Sequence, residues 1–264
     1  MSSPLSATKL RTSLIGEGLT VKEVGSWRTH NRNHKGPFDQ LHGVMLHHTG
    51  AYTSEQQMVQ LCYDGYAALP GPLCHGVIGK TGTVYLVGYG RANHAGLGDD
   101  DVLRAVIAEG KLPPDNEMST DGNRHFYGFE CINKGDGVDP WPAAQVEAMV
   151  RASAAIVRAH GWGKDGNTSV IGHLEWQPGK PDPRGHGFPG MDAMRSRVAE
   201  RIKHPASWSP NGSSTTGLYK VKDGDTLASI AKAHRTTWQK LWQLNKEQVP
   251  DPDVVRPGQQ LRLK

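Results

Sequence analysis

"PWPAAQVEAMVRASAAIVRAHG", residues 140–161, followed closely by "TSVIGH", residues 168–173, reads as a helix that delivers the chain into a strand. In the first segment Val146, Met149, Val150, Ile156 and Val157 recur at helical spacing, and Ser153 is small enough to sit on the same stripe. A proline start and a glycine stop bound it. The second segment is a short apolar run, the pattern of a buried strand. Toward the N-terminus the alternation continues: a helix near Ser6 to Gly16, a strand in "HGVMLHHT" (42–49), and a helix from about Ser54 to Ala68. A hairpin in "HGVIGKTGTVYLVG" (75–88) turns at Thr81 and Gly82, and "HFYGFECIN" (125–133) has strand composition. "GMDAMRSRVAERIKH" (190–204) closes the series as a helix. The expectation over residues 1–203 is an α/β domain, a mixed central sheet flanked by helices.

Hydrophobic periodicity stops at "HPASWSPNGSSTTG", residues 204–217, which reads as a flexible linker. In residues 218–264 Tyr219 and Val221 alternate as a strand, and Leu227, Ile230 and Ala231 share one helical face. Behind a Thr237 cap, Trp238, Leu241 and Trp242 form a second helical face, and Leu261 and Leu263 alternate after a Pro-Gly turn. The order is βααβ, in one copy. A unit this small has little core, so its few apolar residues, both tryptophans included, are expected inside.

The chain has 264 residues and a formal charge of +4, spread without a long run of one sign. That favours a polyanionic surface over sequence reading, and no nucleic-acid partner is expected. Cys62, Cys74 and Cys131 form no CxxC pair, which argues against a disulfide framework or a zinc ribbon and for folding in a reducing cytosol. The N-terminal stretch lacks the apolar run of a signal peptide, and no segment is long and apolar enough for membrane insertion.

Chemistry concentrates at strand ends. "GHLEWQPGKPDP", residues 172–183, is a loop stiffened by prolines 178, 181 and 183, and it is expected to be neither helix nor regular strand. Lys180 and Asp182 lie two apart in it, so extended geometry would send both side chains to one face. One apolar strand ends in His47 and His48, and another in His173. Two histidines and an aspartate with an open fourth position are the ligand set of a catalytic zinc, the arrangement of a hydrolase. The HExxH pattern is absent, since the residue four after His173 is Gln177. A proton-handling group is still required, and Glu130 is a lone carboxylate in an apolar strand. Lys180 would then face a developing oxyanion.

"VMLHHTG", "HGVIGKTGTVYLVGYGRANHAG", "YGFECIN" and "GHLEWQPGKPDP", in that order across roughly residues 20–205, resemble the zinc-dependent N-acetylmuramoyl-L-alanine amidases, the family that includes phage amidase lysozymes and peptidoglycan recognition proteins. The resemblance implies His47, His173 and Asp182 as Zn2+ ligands, Glu130 as the catalytic acidic residue and Lys180 as the catalytic lysine. His94, in "ANHAG", matches a histidine beside the family's substrate cleft. His48 would point to the opposite face of its strand, and Cys131 would be a bystander. Some family members use Tyr at the acid/base position, and members lacking a full ligand set only bind.

The C-terminal unit resembles a LysM module through "Y-x-V-x-x-GDTL-x-x-IA" and "PD-x-x-x-PGQ-x-L". That implies a glycan groove between Gly224, Asp225, Thr226 and Leu227 on one side and Asp253, Val254 and Val255 on the other, with Asp225 also serving the local fold. Both resemblances imply one partner, bacterial peptidoglycan, and one activity: an endolysin-like amidase cleaving between N-acetylmuramic acid and the L-alanine of the stem peptide. The expectation is a monomer made in the host cytoplasm that reaches the wall once the membrane has been permeabilised. The alternatives are a recognition protein without catalysis and a zinc peptidase cutting within the stem.

Overall fold

The computed structural model describes residues 2–163, 169–208, 218–234 and 236–263. Its central sheet is built from β1 (Val21–Glu23), β2 (Gly43–His48), β3 (Gly76–Ile78), β4 (Val84–Leu86), β5 (Phe126–Cys131) and β6 (Val170–Gly172). Their spatial order is β1-β4-β3-β5-β2-β6. Strands β3, β5, β2 and β6 run parallel, and the predicted hairpin makes β3 and β4 antiparallel, so the sheet is mixed as expected.

Helices cover both faces. Side chains alternate along β2, so Val44 and Leu46 go to one face and Met45 and His47 to the other. The first face packs on α1 (Ala7–Gly16), α4 (Ala143–His160) and α5 (Met191–Ile202). The second carries α2 (Glu55–Asp64), which packs on Val77, and α3 (Asp100–Ile107), which joins Met45, Phe126, Ile171 and Trp176. Helix α3 is not among the elements predicted above, although Asp99 caps it and Val102, Leu103 and Val106 are its buried stripe. Helix α2 is shorter than predicted. Gly65 takes a φ of 71° at its C-terminus, and the chain turns into a small ladder, Gly65–Tyr66 against Leu69–Pro70.

The first residues of the expected linker make defined contacts. Arg201 donates from Nη1 to Trp208 O at 3.0 Å and from Nη2 to Ala206 O at 2.9 Å, and Trp208 stacks on His204. Residues 204–208 are therefore held against α5, while 209–217 lie outside the described residues. Arg201 is itself fixed by Glu17, with both side chains 1% exposed and Nε 2.6 Å from the carboxylate.

In the C-terminal unit β7 (Leu218–Lys220) pairs antiparallel with β8 (Gln260–Arg262), and α6 (Leu227–Ala233) and α7 (Trp238–Asn245) lie between them in sequence. Val221, Leu227, Ile230, Leu241, Val249, Leu261 and Leu263 form its core. The tryptophans depart from expectation: Trp238 is 42% exposed, and Trp242 is partly buried with its indole N–H on Val249 O. Leu241 and Asn245 take the inward positions of α7, and Trp238, on the first turn, overhangs a core too small to cover it.

Candidate metal centre

The parallel strands bring their C-terminal ends to one edge, the usual place for a site in an α/β sheet. His47 and Glu130 are paired in the register of β2 and β5, so both side chains leave the same face. Gly172 pairs with Leu46, and the next residue, His173, falls beside His47. His173 opens a short 3-10 turn, His173–Glu175, within the segment expected to hold no helix. Glu175 holds that turn by accepting from Gly172 N and from both terminal nitrogens of Arg195 on α5, at 2.8 and 2.9 Å.

The loop returns because it is hydrogen-bonded as well as proline-stiffened. Leu174 N donates to Asp182 O at 2.7 Å, and Lys180 N donates to Gln177 O at 3.1 Å. A β-carbon at Gly172 would stand 2.9 Å from Pro183 Cδ, so the glycine lets the loop settle on β6. Asp182 arrives 92% buried, with Oδ2 3.1 Å from His47 Nδ1 and 3.3 Å from His173 Nδ1. The two Nδ1 atoms are 3.0 Å apart. Ligand atoms of these three residues all lie within 4.8 Å of one another, close enough to share one metal ion.

Electrostatics fit that donor set. Desolvation lowers the His47 imidazole from 6.5 to about 4, so it stays neutral and able to ligate. Burial alone would raise Asp182, but hydrogen bonds from His173 and His47 outweigh it and hold the carboxyl far below its usual range. Glu130 goes the other way: burial, and then the Asp182 charge, raise it to about 8. Its edge is partly exposed while Oε2 is enclosed without a hydrogen-bond partner.

Lys180 does not share the burial of Asp182. It stays exposed at the rim, and its charge lowers both His47 and Glu130. His48 points to the opposite face, where its Nδ1 accepts from Arg184 N at 3.3 Å. His94 is buried against His47, with its Nδ1 3.0 Å from His47 Nε2. Cys131 is enclosed in the core.

In the C-terminal unit, Gly224 adopts a φ of 80°. Asp225 accepts from Tyr219 Oη at 2.6 Å and Lys222 N at 2.8 Å. Thr226 caps α6, and Leu227 is core. Asp253 and Val254 are exposed, and Val255 packs on the core.

Fold and donor set together define an α/β protein with a metal-ready His-His-Asp group beside a buried carboxyl. Residues 37–185 match the N-acetylmuramoyl-L-alanine amidase family and residues 219–264 match the LysM domain; the chain belongs to that amidase family and carries a C-terminal LysM domain. It is 29% identical over 144 residues to the N-acetylmuramoyl-L-alanine amidase XlyB of Bacillus subtilis (strain 168), a match covering 54% of this chain and 43% of that protein. It is 43% identical over 53 residues to an endolysin of Bacillus phage PZA, covering 20% of each. The chain thus spans less than half the length of either relative. Among solved structures it is similar to the amidase LysC from Clostridium intestinale URNW, at 15% identity and a TM-score of 0.46, over 68% of this chain and 97% of that one.

Two contacts escaped sequence reading. Gln177 Oε1 approaches His173 Nε2 at 3.3 Å, and Gly128 leaves room for the His94 ring. The spacing of four between His173 and Gln177 was a legible signal for the first; nothing local announces the second.

Proposed function

We propose that the chain is a zinc-dependent peptidoglycan amidase that hydrolyses the amide between the lactyl group of N-acetylmuramic acid and the L-alanine of the stem peptide. The supporting observation is the convergence of His47 Nδ1, His173 Nδ1 and Asp182 Oδ2 within 4.8 Å, with Glu130 in register beside His47. Two imidazole nitrogens and one carboxylate oxygen suit Zn2+, which when bound supplies Lewis-acid polarisation of a carbonyl and a lowered water pKa. Glu130 takes the proton of the attacking water and then returns it to the leaving amine. Burial, which raises the affinity of this carboxyl for a proton, favours its carrying the proton between the two steps. The exposed Lys180 ammonium stands at the rim, where its charge counters the negative charge that develops on the carbonyl oxygen. The LysM unit tethers this chemistry to the wall and raises its effective concentration there.

Digestion of purified peptidoglycan, before and after chelation and with zinc added back, tests the reading. New L-alanine amino termini and stem-free glycan, lost with chelator and restored by zinc, are expected. Amino termini at another residue would mean a stem peptidase. Binding to the wall without products would mean recognition alone.

A further inference from the structure

We propose that Met118, with Leu97 on the neighbouring segment, forms a specificity-determining rim of the metal site that holds the second and third residues of the stem peptide. The assignment rests on the peptidoglycan-amidase reading above and gives the peptide half of that substrate its own contact.

Met118 is one side chain removed from a proposed ligand. Gln177 Nε2 donates to Met118 Sδ at 3.4 Å, and Gln177 Oε1 lies 3.3 Å from His173 Nε2. That path is about two to three residues of extended peptide long, at ~3.3–3.6 Å each. A stem that starts at the scissile carbonyl and crosses Gln177 therefore meets Met118 with its second or third residue. The segment that carries Leu97 lies against the same glutamine, since a β-carbon at Gly96 would stand 3.2 Å from Gln177 Oε1.

Met118 and Leu97 are 54% and 52% exposed, yet the backbone that presents them is fixed on both sides. Leu97–Gly98 pairs with Thr120–Asp121, and Ser119 N donates to Gly98 O at 3.0 Å. The buried Asp99 carboxylate accepts from Asn116 N at 2.7 Å and Glu117 N at 3.3 Å, immediately before Met118. Trp176 holds the other side: its indole N–H donates to Ala95 O at 3.0 Å, and its carbonyl accepts from Asp99 N at 3.0 Å. A β-carbon on Gly98 would fall 2.2 Å from the Trp176 ring, so Gly98 faces the indole and Leu97 points away from it. Half-exposed apolar side chains contribute little to folding here. Holding their backbone in place lowers the entropy lost when a ligand covers them.

The chemistry of the rim selects the peptide over the sugar. Leucine and methionine offer aliphatic and thioether surface without hydrogen-bond donors, which suits the Cα and side-chain carbons of a peptide and leaves sugar hydroxyls unpaired. The amide of Gln177 is already engaged by Met118 and His173.

Methyl NMR of the full-length protein reads the contact without turnover. A synthetic stem tripeptide beginning with L-alanine, at millimolar concentration, is expected to shift the Met118 and Leu97 methyl signals. Those signals are identified by their loss in Met118→Gln and Leu97→Gln, and stem-free glycan should leave them in place. Both positions are exposed, so the variants should fold and retain zinc. On a disaccharide muropeptide bearing the tripeptide stem, each should raise KM about fivefold with kcat changed less than about twofold. Met118→Leu, apolar and of similar volume, should keep KM near wild type. Methyl signals that move with glycan and not with tripeptide would put the sugar on this rim and overturn the proposal. So would signals that move with neither, or an unchanged KM in Met118→Gln. Shifts with the tripeptide, in a protein that releases no stem from muropeptide, would defeat the amidase reading and leave the rim assigned to the peptide.

Discussion

His47 and Glu130 stand side by side in register, yet their surroundings push their proton equilibria in opposite directions. In chelator-treated protein His47 and His75 resist protonation down to about 4, whereas unfolded imidazoles take protons below 6.5. The unfolded chain binds more protons in that window, so stability falls as pH drops through it. Glu130 has the reverse effect. Its folded carboxyl keeps a proton up to about 8 while the unfolded one releases it above 4.5, so its contribution weakens as pH rises between those values. Glu130→Gln should therefore gain stability relative to wild type as pH rises from 4.5 to 8, as measured by urea unfolding in chelator. A pH-independent difference would remove the raised carboxyl. In zinc-loaded protein Glu130→Ala should retain metal and lose about a hundredfold or more in turnover. His47→Ala should lose metal and His48→Ala keep it, as read by metal analysis after gel filtration.

At the scale of elements, the site depends on how the segment after β6 is brought back. Gly172 admits Pro183, Leu174 pairs with Asp182 O, and Arg195 on α5 clamps Glu175 from the other side. Gly172→Ala would force the loop off β6. It is expected to cost about 1–3 kcal/mol of stability, as overpacking does, and to weaken zinc retention because Asp182 moves with the loop. Unchanged zinc affinity in a destabilised Gly172→Ala protein would show that the loop reaches its place independently of this contact. Most of these elements were legible because helical and alternating apolar spacing survive in the chain itself. Helix α3 carries the same kind of signal, an Asp99 cap and three buried apolar residues, but its eight residues give a short stripe. Helix α2 ends at Gly65 because a left-handed backbone position outweighs the helical pattern beyond it.

For the whole molecule, two expectations concern how parts act together. Arg201 and Glu17 form a fully buried ion pair that joins α1 to α5 and, through Arg201, holds residues 206 and 208. Arg201→Ala leaves Glu17 with Arg158 as its partner and takes the Arg201 donor from the carbonyls of Ala206 and Trp208, so a loss of about 1–3 kcal/mol is expected in denaturant unfolding. A loss below 1 kcal/mol would mean water or Arg158 compensates. Removing residues 209–264 should abolish co-sedimentation with peptidoglycan while leaving cleavage of soluble muropeptides, because tethering alters concentration and not chemistry.

From the sequence alone came the alternation of helices and strands, the break before the small βααβ unit, and the histidines, carboxylates and lysine of the site. Those are local properties: periodicity, caps, turns, and polar residues at the ends of apolar runs. Tertiary structure decided which of them meet. Parallel register put Glu130 beside His47, and strand pleating sent His48 to the opposite face. Burial raised the proton affinity of Glu130 while hydrogen bonds from the two histidines lowered that of Asp182, and an absent side chain at Gly128 let His94 reach His47. Such contacts span from 34 to 135 residues of chain, and at that separation proximity is set by packing, which local spacing does not encode.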